Sequence, residues 1–356
     1  RQLKPEIDAA IANVIANSSF ISGPHVTEFE AAFSAIVDRT HCVSCANGTD
    51  ALYIAMKALG VGPGDEVIVP AMSWISTSET VSQTGARVVF CDIDSKTYTL
   101  DAKRLEASIT DSTVGIIPVH LYGHPADMGA IMGVAEARGI WVLEDSAQAH
   151  LARFNGQYVS TFGSAGTYSF YPGKNLGAMG DAGAVVTDDP SLADQMAKFA
   201  RHGGLRKGVH EIEGINSRMD GLQAAILNVK LPHLAAWTAR RQYIAEYYLE
   251  ALSGEDWLTL PAVDPRAEPV WHLFVISSAK RTALAAHLAA HGIATSVNYP
   301  CALPFLPCYK DRNHYPEQFP IAHKLALEGL SLPIFPEMTD DDIDAVIDAV
   351  RTYPIS

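Results

Sequence analysis

Two spacings of apolar residues alternate along the first 190 residues of the chain. Apolar residues that recur every three or four positions predict helices, and short runs rich in β-branched residues predict strands. The predicted helices are 5–17, 26–37, 50–59, 101–110 and 126–139, the last with a glycine C-cap. The predicted strands are 41–46, the end of 60–70, 86–94, 114–123, 140–149, 165–172 and 182–189.

This alternation indicates βαβ units, and therefore an α/β fold with a mostly parallel sheet. The pattern changes after about residue 215. The remaining elements are predicted as a long helical stretch at 219–252 broken at Pro232, a strand–helix–strand set at 270–278, 281–292 and 294–300, and a helix at 339–353 with Thr339 as N-cap. We place a domain change near residue 235, which divides the chain into a large domain, 1–235, and a smaller C-terminal domain, 236–356.

Composition narrows the class of protein. The 356 residues are 48% hydrophobic and 19% charged, which is typical of a globular protein. The formal net charge of −14 argues against a nucleic-acid partner, which needs a basic surface. No apolar run is long enough to span a membrane, and five cysteines are an odd number for a disulfide framework. A soluble, cytoplasmic protein is expected.

The segment "YSFYPGKNLGAMGDAGAVVTDD", which starts at Tyr168, carries one lysine among glycines. A phosphate-binding loop of the form G-x-x-x-x-G-K-[ST] fails here, because Tyr168 replaces the first glycine and Asn175 replaces the hydroxyl residue. Lys174 lies in a stretch without other charges from 156 to 180. A partly desolvated lysine has a lowered pKa and can attack carbonyl groups, whereas an ordinary loop lysine is the alternative.

Two other positions are candidates for ligand contacts. Asp145 ends a very apolar predicted strand, where α/β proteins place ligands, and its carboxylate needs a cation or hydrogen-bond donors. A protonated ring nitrogen and an arginine are both suitable partners. The segment 46–52, "ANGTDAL", begins a helix whose N-terminus suits a phosphate, although simple capping by Thr49 or Asp50 is the more common case for such a segment taken alone.

Cys42 and Cys45 form a C-x-x-C pair. A zinc site would need a second pair with similar spacing, but Cys301 and Cys308 are seven residues apart. A redox pair usually opens a helix, whereas this one lies in a predicted buried strand. We therefore favour a structural role and expect no metal, while a thiol-redox or zinc protein remains an alternative class.

The order of these pieces along the chain resembles the DegT/DnrJ/EryC1/StrS family of nucleotide-sugar aminotransferases, which depend on pyridoxal 5′-phosphate (PLP). The segments "EDSAQAH", "YSFYPGKNLGAMGDAGAVVT" and "NSRMDGLQAAIL" carry the resemblance, which extends over nearly the whole chain. It implies the aspartate-aminotransferase fold, PLP fold type I, with a seven-stranded sheet in the large domain.

The resemblance also implies a role for each matching residue. Lys174 would form the Schiff base with PLP and then carry a proton, and Asp145 would pair with the pyridine nitrogen. The other cofactor contacts implied are Trp74 on the ring face, Gln148 at the ring 3-oxygen, Gly48, Thr49 and Ser169 at the phosphate, and Asn216 at the phosphate of the other subunit of a homodimer. Arg218, His272 and Tyr299 are weaker candidates for substrate or dimer contacts.

The sequence departs from the family pattern near the substrate. Asn47 stands where Ser is common, and "NYP" at 298–300 replaces "HYP". The segment "YPGKNLGAMGDAGA" is similar to that of enzymes that aminate C3 of the sugar. The resemblance therefore implies transfer from L-glutamate to a 3-keto-6-deoxy sugar linked to dTDP or GDP. Amination at C4 is the second choice, and a non-catalytic sugar-binding regulator is a remote one.

Overall fold

A seven-stranded sheet forms the centre of the protein, and the computed structural model describes residues 2–354. The strand order is β1-β9-β8-β5-β4-β2-β3. The strands of the protein are β1 (His41–Cys45), β2 (Glu66–Pro70), β3 (Arg87–Cys91), β4 (Thr113–Ile116), β5 (Trp141–Asp145), β6 (Arg153–Phe154), β7 (Gln157–Tyr158), β8 (Ala165–Ser169), β9 (Gly183–Thr187), β10 (Ala267–Glu268), β11 (Phe274–Ser277) and β12 (Gly329–Leu332).

The sheet is mostly parallel, as the alternation of strands and helices predicts. Strands β3, β2, β4, β5 and β8 are paired in parallel. Within residues 2–354, β9 alone runs opposite to the other six strands of this sheet, and it is inserted between β8 and β1, the first strand. The predicted α/β class and seven-stranded sheet are therefore confirmed. The parallel strands are buried on both faces, which explains their nearly continuous apolar sequences.

Helices cover both faces of the sheet. Helix α6 ends at Gly139, whose φ of 64° is the left-handed conformation predicted for that C-cap. The helices are α1 (Lys4–Ala16), α2 (Pro24–Ile36), α3 (Gly48–Ala58), α4 (Ser76–Gln83), α5 (Ala102–Ser108), α6 (Met128–Arg138), α7 (Pro190–Ala200), α8 (Gly221–Lys230), α9 (Leu234–Ala251), α10 (Arg281–Ala290), α11 (Pro320–Glu328) and α12 (Asp340–Arg351).

The C-terminal part is built on the antiparallel pair β11–β12 and on helices α9, α10 and α12. The helical stretch predicted at 219–252 is interrupted at Pro232 by a 3₁₀ turn, and Thr339 caps α12 as predicted. Residues 302–326 of this part pack into the hydrophobic cluster of the large sheet. The domain boundary near residue 235 stays a prediction.

Several predicted strands are shorter than expected or absent, and two of them show the physical reason. The strand predicted at 294–300 is wrong, since only Ser296 makes a single bridge, to Ser331. The side chain of Asn298 accepts hydrogen bonds from both serine hydroxyls, and Pro300 lacks a donor, so the ladder does not extend. The strand predicted at 114–123 ends at Ile116, before Pro118.

Candidate active site

A cavity of about 550 Å³ opens at the carboxyl ends of the parallel strands. Strands β5 and β8 and the N-terminus of helix α3 meet there, which is the place where α/β sheets bind ligands. Nine of the eleven residues that the sequence singles out line this cavity, namely Gly48, Thr49, Trp74, Asp145, Gln148, Ser169, Lys174, His272 and Tyr299. Asn216 and Arg218 do not.

Asp145 is buried at the end of β5 and accepts two hydrogen bonds. Thr77 Oγ1 donates to its carboxylate at 2.9 Å, and the amide N–H of Ala147 donates at 3.2 Å. Burial raises the pKa of Asp145, while these hydrogen bonds and the charge of Lys174 oppose the rise. Two hydrogen bonds offset only part of the cost of burying this carboxylate, so the site is suited to bind a further cationic group.

Lys174 lies in the loop after β8, where its backbone N–H donates to Tyr171 O at 2.8 Å. Removal from water lowers the pKa of Lys174 to about 8, and the carboxylate of Asp145 opposes this shift. A lysine of this kind supplies far more neutral amine near neutral pH than an exposed lysine does. It can therefore act as a nucleophile toward a carbonyl group, which the alternative of an ordinary loop lysine does not explain.

The N-terminus of α3 and Ser169 form a narrow cradle. Asn47 is the N-cap and accepts from the N–H of Asp50 at 2.8 Å, so capping by Thr49 or Asp50 is wrong. The first N–H groups of a helix have no carbonyl partner within it, which leaves those of Gly48 and Thr49 for an anion. A Cβ on Gly48 would lie 2.6 Å from Cβ of Ser169, so this close approach requires glycine.

Gln148 is held between the two parts of the protein. The backbone N–H of Tyr122 donates to its Oε1 at 2.7 Å, and its Nε2 donates to the hydroxyl of Tyr299 at 3.0 Å. The ring of Tyr299 lies 5.5 Å from that of Trp74, an exposed side chain at the cavity wall. These contacts fix the amide of Gln148 with its NH₂ group available to the cavity.

Asn216 and Arg218 are the predicted residues that the cavity does not include. The intervening Ser217 is buried and donates to the carboxylate of Asp50 at 2.6 Å. This bond anchors the segment to α3, while the side chain of Asn216 is exposed. The structure therefore does not support a contact from Asn216 to a cofactor bound in the cavity of the same chain.

Several residues of the site were missed in the sequence. Ser73 and Thr77 form a hydroxyl relay behind Asp145, with 2.8 Å between their oxygens. Asn175 bonds His272, with 3.3 Å between Asn175 Oδ1 and His272 Nδ1. The sequence signal that could have pointed to Thr77 is the run of hydroxyl residues around Trp74, "SWISTS" at 73–78. So many hydroxyl groups in a short segment indicate hydrogen-bond partners nearby.

Cys42 and Cys45 lie on β1, as predicted. Burial is the main cause that raises the pKa of both thiols well above their ordinary value. Thiolates, which bind metals and exchange disulfides, are therefore disfavoured at this pair.

Known proteins share this sequence and this architecture. The family model for the DegT/DnrJ/EryC1/StrS aminotransferase family matches residues 1–351. This chain belongs to that family. The protein is thus an aminotransferase with PLP as cofactor, and both predictions are confirmed.

Two relatives illustrate the similarity. The erythromycin biosynthesis sensory transduction protein EryC1 of Saccharopolyspora erythraea is 44% identical, over 98% of this chain and 96% of the relative. The dTDP-3-amino-3,4,6-trideoxy-alpha-D-glucose transaminase of Streptomyces venezuelae is 43% identical, over 99% of this chain and 93% of the relative.

Two crystal structures share the fold. DesV of S. venezuelae, in complex with a ketimine intermediate, superposes with a TM-score of 0.96 at 43% identity and covers 98% of this chain and 94% of its own. NtdA of Bacillus subtilis, with bound pyridoxamine phosphate (PMP), gives 0.92 at 31% identity and covers 99% and 82%. The predicted aspartate-aminotransferase fold is confirmed.

The residues of the cavity fit PLP. The cofactor brings a phosphate, an aldehyde and a basic ring nitrogen. The cradle at Gly48 and Ser169 suits the phosphate, the amine of Lys174 suits the aldehyde, and the carboxylate of Asp145 suits a protonated ring nitrogen. Each group of the cofactor thus has a chemically matched partner in this chain.

Proposed function

We propose that this aminotransferase moves an amino group from L-glutamate to C3 of a 3-keto-6-deoxy sugar linked to dTDP or GDP. The main observation behind this proposal is that Lys174 and Asp145 line one cavity together with the phosphate cradle at Gly48 and Ser169. The relative from S. venezuelae, named as a transaminase of a dTDP-3-amino sugar, supports amination at C3. The product would enter the synthesis of a surface polysaccharide or a glycosylated metabolite.

Lys174 is proposed to hold the cofactor covalently and then to move a proton to and from the substrate. PLP, when bound, supplies an electron sink that makes this proton transfer possible. Asp145 keeps the ring nitrogen protonated, since its buried carboxylate gains a cationic partner. The lowered pKa of Lys174, about 8, allows the same amine to accept and to return a proton near neutral pH.

The remaining cofactor contacts follow from the walls of the cavity. Gly48 and Thr49 present N–H groups to the phosphate, and Ser169 adds a hydroxyl. Trp74 is proposed to stack on the ring, and Gln148 to donate from Nε2 to the ring 3-oxygen. The bond from Tyr122 N–H to Gln148 Oε1 supports this orientation, because it fixes which end of the amide is the oxygen. One N–H of Nε2 donates to Tyr299, and the other remains for the cofactor.

The protein is proposed to act as a homodimer in which Asn216 binds the cofactor phosphate of the partner. Asn216 is exposed and absent from the cavity of its own chain, which supports a role in a second copy. Large exposed side chains beside the cavity, among them Trp74, Tyr171 and Met179, would be buried by such a contact. Arg218, two residues from Asn216, is a further candidate at this interface.

A cytoplasmic location is also proposed. The five cysteines are all free, which suits a reducing compartment. Within residues 2–354, none of the helices combines the length and the apolar character that crossing a bilayer requires.

A regulatory role is the alternative that one observation favours, because EryC1 is named as a sensory transduction protein. Lys174 and Asp145 are both present and line the same cavity, which supports the enzyme. Amination at C4 remains the second choice among reactions.

Activity assays of two variants test the proposal. Purified protein should show the yellow absorbance of bound PLP and convert 3-keto dTDP- or GDP-sugars with glutamate, with products identified by NMR. Lys174→Ala should lose the absorbance and the turnover. Mixing Lys174→Ala with Asn216→Ala subunits should recover activity, since a hybrid dimer contains one intact site. Wild-type protein without PLP, or without turnover on any keto sugar, would contradict the proposal.

A further inference from the structure

Tyr122 lies buried in the turn at 121–123 and has an unusual backbone conformation. Its φ is 60°, in the left-handed region that residues other than glycine seldom adopt. Such a conformation persists where the surrounding structure holds it, and three hydrogen bonds do so here. Its N–H donates to Gln148 Oε1 at 2.7 Å, its carbonyl accepts from the N–H of Leu273 at 3.2 Å, and its hydroxyl donates to the carbonyl of Asn298. Tyr122 therefore joins the cavity wall to two segments of the C-terminal part.

Gln148 and Tyr299 complete a closed ring of contacts with Tyr122. Gln148 Nε2 donates to the hydroxyl of Tyr299 at 3.0 Å. The hydroxyl of Tyr122 returns to the carbonyl of Asn298, the residue that precedes Tyr299. The side chain of Asn298 is held in turn by two serine hydroxyls, at 2.8 and 2.9 Å. Hydrogen bonds to backbone and side chain thus fix the position from which the phenol of Tyr299 reaches the cavity.

The backbone N–H of Tyr122 sets the direction of the hydrogen bonds in this ring. A backbone N–H can only donate, so the amide atom of Gln148 that faces it is the oxygen. The atom that faces Tyr299 is then the nitrogen, which can only donate, and the phenol oxygen accepts. Within residues 2–354 the phenol of Tyr299 donates to no other group. Since Tyr299 lines the cavity, its proton is available to a bound molecule.

The phenol of Tyr299 keeps this proton near neutral pH. Burial raises the pKa of Tyr299 to about 12, the hydrogen bond from Gln148 opposes the rise, and the charge of Asp145 adds to it. The cavity therefore presents two neutral donors side by side, the phenol of Tyr299 and the second N–H of Gln148. Two donors whose heavy atoms are 3.0 Å apart select an oxygen with free lone pairs over a group that itself donates.

We propose that Tyr299 is a second donor, beside Gln148, to the 3-oxygen of the cofactor ring, and that Tyr122 is the positioning residue that orients this pair. The inference rests on the proposed function, in which Gln148 donates to that oxygen and Trp74 stacks on the ring. The ring of Tyr299 lies 5.5 Å from that of Trp74, so the phenol stands beside the wall on which the cofactor is proposed to stack. The 3-oxygen is a phenolate when ionised, and such an oxygen accepts more than one hydrogen bond.

The test measures equilibrium binding of PMP, which does not need the amine of Lys174, and of the PMP analogue that lacks the 3-hydroxyl group. Tyr299→Phe keeps the aromatic ring and removes the donor. It should weaken PMP binding about tenfold or more, because a hydrogen bond to a charged oxygen is lost. Binding of the analogue should change by less than about threefold, because it carries no oxygen there. Equal losses for the two ligands, or unchanged PMP binding, would overturn the role of Tyr299.

A second variant tests the positioning role. Tyr122→Phe removes the hydroxyl that holds Asn298 and should also weaken binding of PMP more than that of the analogue. If Tyr122 acts through Tyr299, its effect should largely disappear when Tyr299→Phe is already present. A Tyr122→Phe effect of the same size in both backgrounds would show a structural role alone and overturn the positioning role. If the wild-type protein binds no PMP, the proposed function itself fails, whereas PMP binding that ignores Tyr299 contradicts this inference alone.

Discussion

Thr77 and Asp145 are joined by a hydrogen bond of 2.9 Å in which the hydroxyl donates to the carboxylate. Since Thr77 Oγ1 donates there, it accepts from Ser73 Oγ, 2.8 Å away. Two hydroxyls thus stabilise the ionised form of a carboxylate that burial would otherwise protonate. The role proposed for Asp145 therefore depends on Thr77, a neutral side chain.

Thr77→Val should lower the turnover number while leaving the fold intact. Loss of a hydrogen bond to a charged group costs about 1.5–3 kcal/mol, which corresponds to roughly tenfold to a hundredfold in rate if it is fully expressed. Steady-state kinetics and PLP affinity measure the effect. Thr77→Ser, which keeps the hydroxyl, is the matched control. Equal turnover of the valine and wild-type proteins would remove Thr77 from the mechanism.

The stability of cofactor-free protein should rise with pH because of Lys174. Its pKa is about 8 in the folded state and about 10.5 when exposed, so between these values the unfolded chain binds more protons. The free energy of unfolding therefore increases across this window. Below the window the lysine is charged in the folded protein, and its cost to stability is largest there. Urea unfolding of wild-type and Lys174→Met proteins at both ends of the window measures the difference. The methionine variant should show a smaller increase in the free energy of unfolding with pH and greater stability at neutral pH. Identical pH profiles for the two proteins would contradict a lowered pKa of Lys174 in the folded state.

Gly48→Ala should weaken PLP binding and destabilise the protein by about 1–3 kcal/mol, since the added methyl overlaps Ser169. Equilibrium titration with PLP and thermal unfolding measure the two effects. Gly62→Ala is the control, because a Cβ there meets nothing within 4 Å. The double variant Gly48→Ala with Ser169→Gly should recover stability but not full PLP affinity, as the hydroxyl is missing. A neutral Gly48→Ala would show that the cradle is wider than described.

Glu144 points to the side of β5 opposite Asp145 and should be essential for stability. Its buried carboxylate accepts from the backbone N–H groups of Ser160, Phe162 and Gly163 and bonds His120 Nε2 at 3.1 Å. Glu144→Ala leaves these donors unpaired and should cost about 3–5 kcal/mol.

Denaturant unfolding measures this loss, and the exposed ion pair of Glu106 with Arg138 provides the comparison. Glu106→Ala should change stability by less than about 1 kcal/mol, because solvent screens that pair. Similar losses for the two variants would show that the Glu144 network contributes no more than a surface contact.

The strands of the large sheet were predictable from sequence because both of their faces are buried. Runs such as residues 67–70 are continuously apolar, which is typical of strands that are covered on both faces. The strand predicted at 294–300 was wrong for a physical reason. Its alternation resembles a strand, but the backbone pairs only at Ser296, with Ser331, and the side chain of Asn298 accepts from both serine hydroxyls in place of a longer ladder. Short strands such as β12 depend on a partner that local sequence does not specify.

The candidate site was predicted where a residue's chemistry is unusual for its position. A carboxylate ending an apolar strand, Asp145, and a lone lysine among glycines, Lys174, stand out in any sequence. Thr77 and Asn175 do not, since their roles come from the geometry of one hydrogen bond each. The N-cap of α3 could not be predicted for the same reason. Asn47, Thr49 and Asp50 are all residue types that cap helices, and only the structure shows that Asn47 does so.

The place of β9 between β1 and β8 has a consequence for synthesis of the protein. The first strand of the sheet cannot join the others until residues 183–187 have left the ribosome, since within residues 2–354 β1 pairs with no strand other than β9. Gly48, at the start of α3 just after β1, therefore meets Ser169 only at that point. A nascent chain that ends before β9 should therefore be unable to retain its cofactor.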